Sequence, residues 1–242
     1  MHPSLPDPKN SSQDATDGTI FEELVQQYEQ LVTRTEEMIV QQVCSEVEVA
    51  WKVHFARCAL PASPLSDTWH WGLTSSHSLS SNSAPHSDIA ISPTLLPALS
   101  ALSSHLSLLR RTLPHAPTSS IYRRIGSHLC THILQRAILY RRAREITGAE
   151  RRVLQRESEL WVETCRIALP DAGERVEVPW RRLVQAGRIL GADDEVWEQI
   201  LGVSFDDLGQ EWGPRITGLI DGADLTREEV RMIARAREDC VL

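Results

Sequence analysis

The sequence predicts an all-α protein, made of one long helix and a helical bundle. Apolar residues recur at steps of three and four along most of the chain, which is the spacing of one face of an α-helix. No segment shows the two-residue alternation of a half-buried strand. Two T-x-x-E motifs, Thr147–Glu150 and Thr226–Glu229, are capping boxes that mark where helices begin.

The N-terminal third is predicted to hold the long helix between two disordered segments. Residues 1–17 are rich in Pro, Ser, Asp and Asn, a composition typical of disorder. Residues 18–60 are predicted to form one helix, because no Gly or Pro interrupts the stretch from 19 to 60. We expect its apolar residues, from Phe21 to Trp51, to form one face. Residues 61–92 are rich in Ser and Pro and are predicted to be a disordered insertion.

Residues 93–242 are predicted to form the bundle. We expect Ser92 to cap its first helix and Pro93 to occupy the first turn, while Pro114 and Pro117 end that helix. The next helix is predicted to follow Thr118-Ser119-Ser120.

Four aromatic side chains are predicted to lie in the interior of the bundle. Tyr122 and Tyr140 are placed there by the apolar spacing of the helix that begins near Ile121. Trp161 and Trp180 fall on the apolar faces of the two helices that follow, and Pro179 is predicted to start the second of these.

The composition favours a soluble, cytosolic protein. The five cysteines are odd in number and scattered without a C-x-x-C pair, which indicates a reducing compartment rather than a disulfide framework or zinc site. No apolar run approaches the eighteen residues that a membrane span requires, and the N-terminus lacks an apolar signal core. Any membrane association is therefore expected to be peripheral.

No motif of catalysis or cofactor binding is recognisable. The phosphate-loop, dinucleotide and hydrolase-elbow patterns are absent from the sequence. His128 and His132 have the spacing of a helical metal pair, but their own helix offers no carboxylate before Glu145, so we expect two satisfied or exposed histidines. We therefore expect no enzymatic activity and no cofactor. An enzyme with a site assembled from scattered residues is a less favoured alternative.

The charge distribution gives one candidate partner-binding site. Residues 110–156 carry eleven Arg against two Glu, although the whole chain has a net charge of −8. The candidate residues lie on both sides of the turn at 146–148: Arg141, Arg142, Arg144, Arg151, Arg152 and Arg156. This arginine-rich stretch, the basic belt, could bind an acidic partner or an anionic membrane surface. It could also attract the acidic helices of its own bundle. Binding to nucleic acid is disfavoured for two reasons. The whole chain is acidic, and Tyr122 and Tyr140 lie on the apolar face of their helix rather than on a basic face.

Several segments together resemble the C-terminal region of the Rint/Tip family. They are Ile121-Tyr122-Arg123-Arg124-Ile125, Pro179-Trp180-Arg181-Arg182-Leu183, Leu225–Val230 and Phe21-Glu22-Glu23-Leu24. The resemblance covers roughly residues 19–238 apart from the Ser-rich insertion. Two positions depart from the family: Tyr122 stands where Trp is frequent, and Cys130 where Asp is frequent. A buried ion pair that such an Asp makes in relatives would be missing here.

The resemblance implies a role in vesicle tethering. Members of the family are subunits of the Dsl-type (NRZ) complex, which tethers Golgi-derived vesicles at the endoplasmic reticulum. The implied properties are a helical-rod fold shared with other tethering subunits, no catalysis, a peripheral location at the endoplasmic reticulum membrane, and binding to other tether subunits and to SNAREs. The alternative that the residues leave open is a generic helical scaffold or adaptor without a role in membrane traffic.

Overall fold

A computed structural model describes residues 20–59, 92–141, 145–205 and 212–240. These ranges contain eight α-helices and no strand, so the all-α prediction is confirmed. The only extended pairing in them is a parallel bridge between Ile146 and Arg237. The predicted disordered N-terminus and nearly all of the predicted insertion at 61–92 lie outside the described residues.

The helices α1 to α8 cover, in chain order, Ile20–Ala59, Leu96–Thr112, His115–Leu134, Gly148–Ala168, Arg181–Gly191, Asp194–Phe205, Trp212–Ile220 and Arg227–Arg235. A π-helical turn, Gln135–Leu139, extends α3. Two 3₁₀ turns, Pro170–Val176 and Val178–Trp180, connect α4 to α5, so α5 begins two residues after the predicted Pro179.

The chain divides into two compact units, residues 1–38 and 39–242. In the first unit, α1 is the only described element, and Phe21 and Tyr28 are 78% and 70% exposed. In the second unit, Val47 and Trp51 of the same helix are buried. Of the apolar residues predicted to form one face from Phe21 to Trp51, those of the first unit are therefore exposed, and burial begins only in the second unit. Apolar spacing makes a helix face suitable for burial, but burial also requires a neighbouring element.

The core of the second unit is centred on α4 and α5, with α2 and α3 packed around them. Gly187 permits the close approach of α5 to α4, because a Cβ atom at this position would lie 2.5 Å from Ser158 Oγ. The indole rings of Trp161 and Trp180 stack with their centroids 5.6 Å apart, and both side chains are buried as predicted.

Tyr122 links the indole of Trp180 to the backbone through two hydrogen bonds. Its hydroxyl accepts a hydrogen bond from Trp180 Nε1 at 3.1 Å and donates one to the carbonyl of Val176. Burial raises the pKa of the Tyr122 hydroxyl, and it raises the pKa of the neighbouring Cys165 thiol to about 12. Both groups are therefore neutral over the physiological range and act as packing residues.

Two predicted helix starts are wrong. Leu96 begins α2 without a side-chain cap, while the Ser92 hydroxyl bonds to Thr94 Oγ1 at 2.8 Å. The next helix, α3, begins at His115 rather than after residue 120. Pro114 is its N-cap and Pro117 lies in its first turn, where the missing N–H of proline costs no helical hydrogen bond.

Tyr140 is 66% exposed, contrary to its predicted interior position. Its N–H donates to the Gln135 carbonyl at 2.8 Å, which closes the π-helical turn. A π turn inserts an extra residue into the helical spiral, so the residues after it rotate away from the face that the α-helical spacing predicts.

Candidate partner-binding site

The candidate arginines surround the connection between the π-helical turn and α4. The structure describes Arg141, Arg151, Arg152 and Arg156, whereas Arg142 and Arg144 lie outside the described residues. Arg141 ends one side of the connection, and the other three lie on the first turns of α4.

The predicted capping box places a carboxylate inside this corner. Thr147 Oγ1 accepts from the Glu150 N–H, and Glu150 Oε2 accepts in return from the Thr147 N–H at 3.0 Å. Glu150 is buried, with its side chain 3% exposed, and its other oxygen accepts from Arg141 Nη2 at 2.9 Å. Since a buried carboxylate is costly unless it is paired and hydrogen-bonded, Arg141 helps to hold Glu150 in the interior.

The C-terminal segment closes the same corner. The Ile146 N–H donates to the Ala236 carbonyl at 2.7 Å, and the Gly148 N–H donates to Glu238 Oε1 at 2.6 Å. Arg151 Nη1 then lies 2.8 Å from Asp239 Oδ2. The acidic C-terminal residues thus meet both the positive end of α4 and one of its arginines.

Arg237 anchors this segment to the core. Its side chain is 1% exposed and pairs through two nitrogens with the Asp239 carboxylate, at 2.9 and 2.8 Å. Its Nη1 donates to the carbonyls of Ile189, Leu190 and Ala192 at 3.2–3.3 Å, at the end of α5. The guanidinium also lies 3.8 Å from the centroid of the Trp197 ring.

The pKa of Asp239 falls to about 2. The largest cause is the hydrogen bonding from Arg237; partial burial opposes the shift, and Arg151 adds to it. The carboxylate is therefore ionised at any pH above about 4 and holds its two arginines in place.

The remaining arginines differ in their surroundings. Arg156 pairs with Glu159 at 3.1 Å and with Glu163 at 3.0 Å, and the hydrogen bond to Glu159 is the main reason why the pKa of Arg156 is raised. Arg152 is exposed and makes no ion pair with the described residues. Among the described candidates, Arg152 is therefore the one whose charge is most available to a partner.

Sequence reasoning missed the role of Arg237 and the C-terminal acids. The basic connection and the acidic pair Glu238–Asp239 were both visible in the sequence. Nothing local joins them, because Arg151 and Asp239 are 88 residues apart. The useful signal was the net negative charge of the C-terminal region opposite a basic belt.

The histidine pair meets a carboxylate from another helix. Glu48 Oε1 lies 2.8 Å from His128 Nε2 and 3.6 Å from His132 Nδ1, so α1 supplies the carboxylate that their own helix lacks. Burial lowers the pKa of His132. Over the described ranges, no group of three His, Cys, Asp or Glu side chains has the geometry to hold a metal ion.

Comparison with models of protein families places the chain among known proteins. The model of the RINT-1/TIP-1 family matches residues 5–151, which is more than half of the chain. The match ends in the first turn of α4, so the resembling segments at 179–183 and 225–230 lie beyond it. Searches of curated proteins and of solved structures gave no match. Among the described helices, none is both long and apolar enough to cross a bilayer. The chain belongs to the RINT-1/TIP-1 family, which is associated with vesicle tethering at the endoplasmic reticulum.

Proposed function

We propose that this chain is a non-enzymatic subunit of a multisubunit tethering complex that acts in retrograde transport from the Golgi to the endoplasmic reticulum. It corresponds to the C-terminal region of the family and acts within the Dsl-type (NRZ) complex. Its partners are other tether subunits and SNAREs of the endoplasmic reticulum, which hold it peripherally at that membrane. It binds no nucleic acid and no cofactor.

The family match over residues 5–151 carries this proposal. The packing of the second unit supports it, because helices with apolar inner faces and charged outer faces suit a spacer or a docking surface. The match favours a tethering role over that of a generic scaffold, since the family itself is associated with vesicle tethering.

Affinity purification from the native host tests the proposal. The chain, tagged at one end and expressed at its native level, should recover tether subunits and endoplasmic-reticulum SNAREs in stoichiometric amounts. Depletion should also slow the return of a retrograde cargo to the endoplasmic reticulum. Recovery of a complex without these components, together with normal cargo return, would overturn the proposal.

The proposal also includes the candidate Arg site, but with fewer arginines than the sequence predicted. Arg141 and Arg151 pair within the chain, so reversing their charges would damage the fold whether or not they bind a partner. The arginines to test are Arg142, Arg144 and Arg152. We propose that they contact an acidic helix of a SNARE or of a tether subunit.

Two triple charge-reversal variants distinguish a specific contact of these arginines from a general effect of net charge. Arg142→Glu/Arg144→Glu/Arg152→Glu should weaken the recovered complex at least tenfold and reduce its salt sensitivity. The control Arg175→Glu/Arg181→Glu/Arg215→Glu changes the same charge at exposed arginines outside residues 110–156 and should leave binding unchanged. Equal effects of the two triple variants would remove the Arg site from the proposal.

A further inference from the structure

The first unit carries a row of large apolar side chains that no other described element of that unit covers. We call this row the N-terminal stripe; its members are Phe21, Leu24, Val25, Tyr28, Leu31 and Val32. Their exposed fractions range from 46% at Leu24 to 78% at Phe21. Single exposed apolar residues are ordinary on protein surfaces, but a contiguous row rimmed by polar residues marks an interaction surface.

The spacing of the stripe fits a partner helix. Phe21, Leu24, Tyr28 and Leu31 alternate steps of three and four, the pattern by which one helix packs along another. The next position of the series, Thr35, turns its hydroxyl to the Leu31 carbonyl at 2.7 Å. The Thr35 hydroxyl is therefore already hydrogen-bonded within α1. A partner helix can pack across Thr35 without leaving this hydroxyl unpaired.

The stripe shares only one edge with the packed face of α1. The packed face includes the buried residues Val43 and Cys44. In the sequence, one heptad before these two positions stand Glu36 and Glu37, and Glu29 lies a further heptad before Glu36. Positions equivalent to the packed face are therefore polar in the first unit, while the apolar residues follow a different series. The two faces meet at one edge only: Ile39, one heptad after Val32, is half-buried against the core of the second unit.

The edges of the stripe carry unlike charges. Glu22, Glu29 and Glu36 repeat every seven residues along one edge, beside Val25 and Val32. The other edge carries Gln27 and Arg34. A helix that packs on this stripe would meet a row of three carboxylates on one side, so it is best matched by basic residues along that side.

This charge pattern disfavours the two simplest other occupants. A second antiparallel copy would bring the same Glu edges together, and a parallel copy would offer one Arg34 for three carboxylates. An anionic lipid surface requires Lys and Arg on the polar face of an amphipathic helix, whereas here that face carries glutamates.

We propose that the N-terminal stripe is the docking surface for one amphipathic helix of a partner protein, with Lys or Arg along the edge that faces Glu22, Glu29 and Glu36. The inference concerns a surface other than the Arg site and does not depend on the tethering role. The apolar row supplies the affinity, and the glutamate edge selects the partner and its orientation.

Two designed helical peptides of about three heptads provide the probe, both with Leu at the apolar positions. One carries Lys along its edges and the other carries Glu. Fluorescence anisotropy with the full chain at low salt should give about tenfold tighter binding of the Lys peptide, because three attractive pairs replace three repulsive ones. Glu22→Lys/Glu29→Lys/Glu36→Lys should reverse the preference.

A second variant tests the apolar row itself. Leu24→Gln/Tyr28→Gln/Leu31→Gln should lose at least tenfold in affinity for the Lys peptide, with an unchanged circular-dichroism spectrum. The control Leu96→Gln/Leu108→Gln should bind like the wild type, since these leucines of α2 are 49% and 51% exposed and thus match those of the stripe.

Several results would overturn the inference. They are equal affinity for both peptides, no binding of either up to about 100 µM, or an equal loss in the control variant. Self-association of the wild type that the stripe variant abolishes would instead assign the surface to a second copy. Binding to anionic phosphatidylserine vesicles that the same variant abolishes would assign it to lipid.

Discussion

Leu24 in the first unit and Leu102 in the second are the same residue type, and both lie on apolar helical faces. Leu24 is 46% exposed and Leu102 is fully buried. The difference lies in the neighbours: α2 packs against α4 and α3, whereas residues 20–38 are the only described element of their unit. Helical spacing thus indicates which face can be buried, and only the surrounding elements decide whether it is.

The largest difference in stability between substitutions in the two regions is expected at an aromatic residue. Trp180→Ala should reduce the free energy of unfolding by about 3–5 kcal/mol, because it leaves a cavity beside Trp161 and removes the donor to Tyr122. Chemical denaturation measures the loss. The matched variant Tyr28→Ala, at an exposed aromatic of the stripe, should change stability by less than about 0.5 kcal/mol. Similar losses in both would show that the two regions do not differ as described.

The next largest effect is expected at the buried arginine. Arg237→Ala should cost about 2–3 kcal/mol, because the buried carbonyls of Ile189 and Leu190 lose their donor and Asp239 keeps only Arg151 as a partner. Arg237→Lys keeps the charge but not the planar fork, so it should recover only part of the loss. Arg34→Ala, at an exposed arginine of the first unit, is the control and should be nearly neutral. An Arg237→Ala protein as stable as the wild type would mean that the C-terminal segment is not anchored through this side chain.

A smaller effect is expected in the pH dependence of stability. The pKa of Asp239 lies near 2, below its ordinary value of 3.8, so the carboxylate binds its proton less readily in the folded chain. Its stabilisation is therefore complete above about pH 5 and is lost as the pH falls through the ordinary pKa towards 2. Asp239→Asn should be less stable than the wild type at pH 5, and the gap should narrow between pH 4 and 2. A gap that stays constant over that range would show that the ion pair contributes nothing to stability.

The smallest effect is expected on the stripe. Leu24→Gln and Leu31→Gln should each change the free energy of unfolding by less than about 0.5 kcal/mol, because their side chains already contact water. Leu102→Ala, in the core of the second unit, should cost about 2–5 kcal/mol in the same denaturation experiment. A large loss at Leu24 or Leu31 would reveal that the stripe is covered within the chain.

Much of the fold was predictable because its signals are short in sequence. Each capping box needs only four residues, and both boxes form as predicted, at Thr147 and at Thr226. Trp161 and Trp180 are buried where their helical spacing placed them. The predicted interior position of Tyr140 was wrong because a π turn changes the number of residues per turn, and no residue type marks such a turn.

The candidate site was predictable only as a concentration of charge. The belt of arginines is visible in the sequence, and Arg156 pairs with the nearby Glu159 and Glu163, but other charge pairs join distant segments. Asp239 reaches Arg151 from the C-terminus, and Glu48 reaches His128 from α1. Glu150 is close to Arg141 in sequence, yet its burial depends on the packing around the corner.

Three features follow from the sequence alone: the helical class of this protein, the starts of α4 and α8, and the apolar face of most helices. These properties depend on backbone hydrogen bonds and side-chain spacings within a few residues. The tertiary structure alone decided which apolar face is covered and which arginines are neutralised. Both depend on contacts between residues far apart in the chain, such as Arg237 with the end of α5, and periodicity and composition do not specify which residues make these contacts.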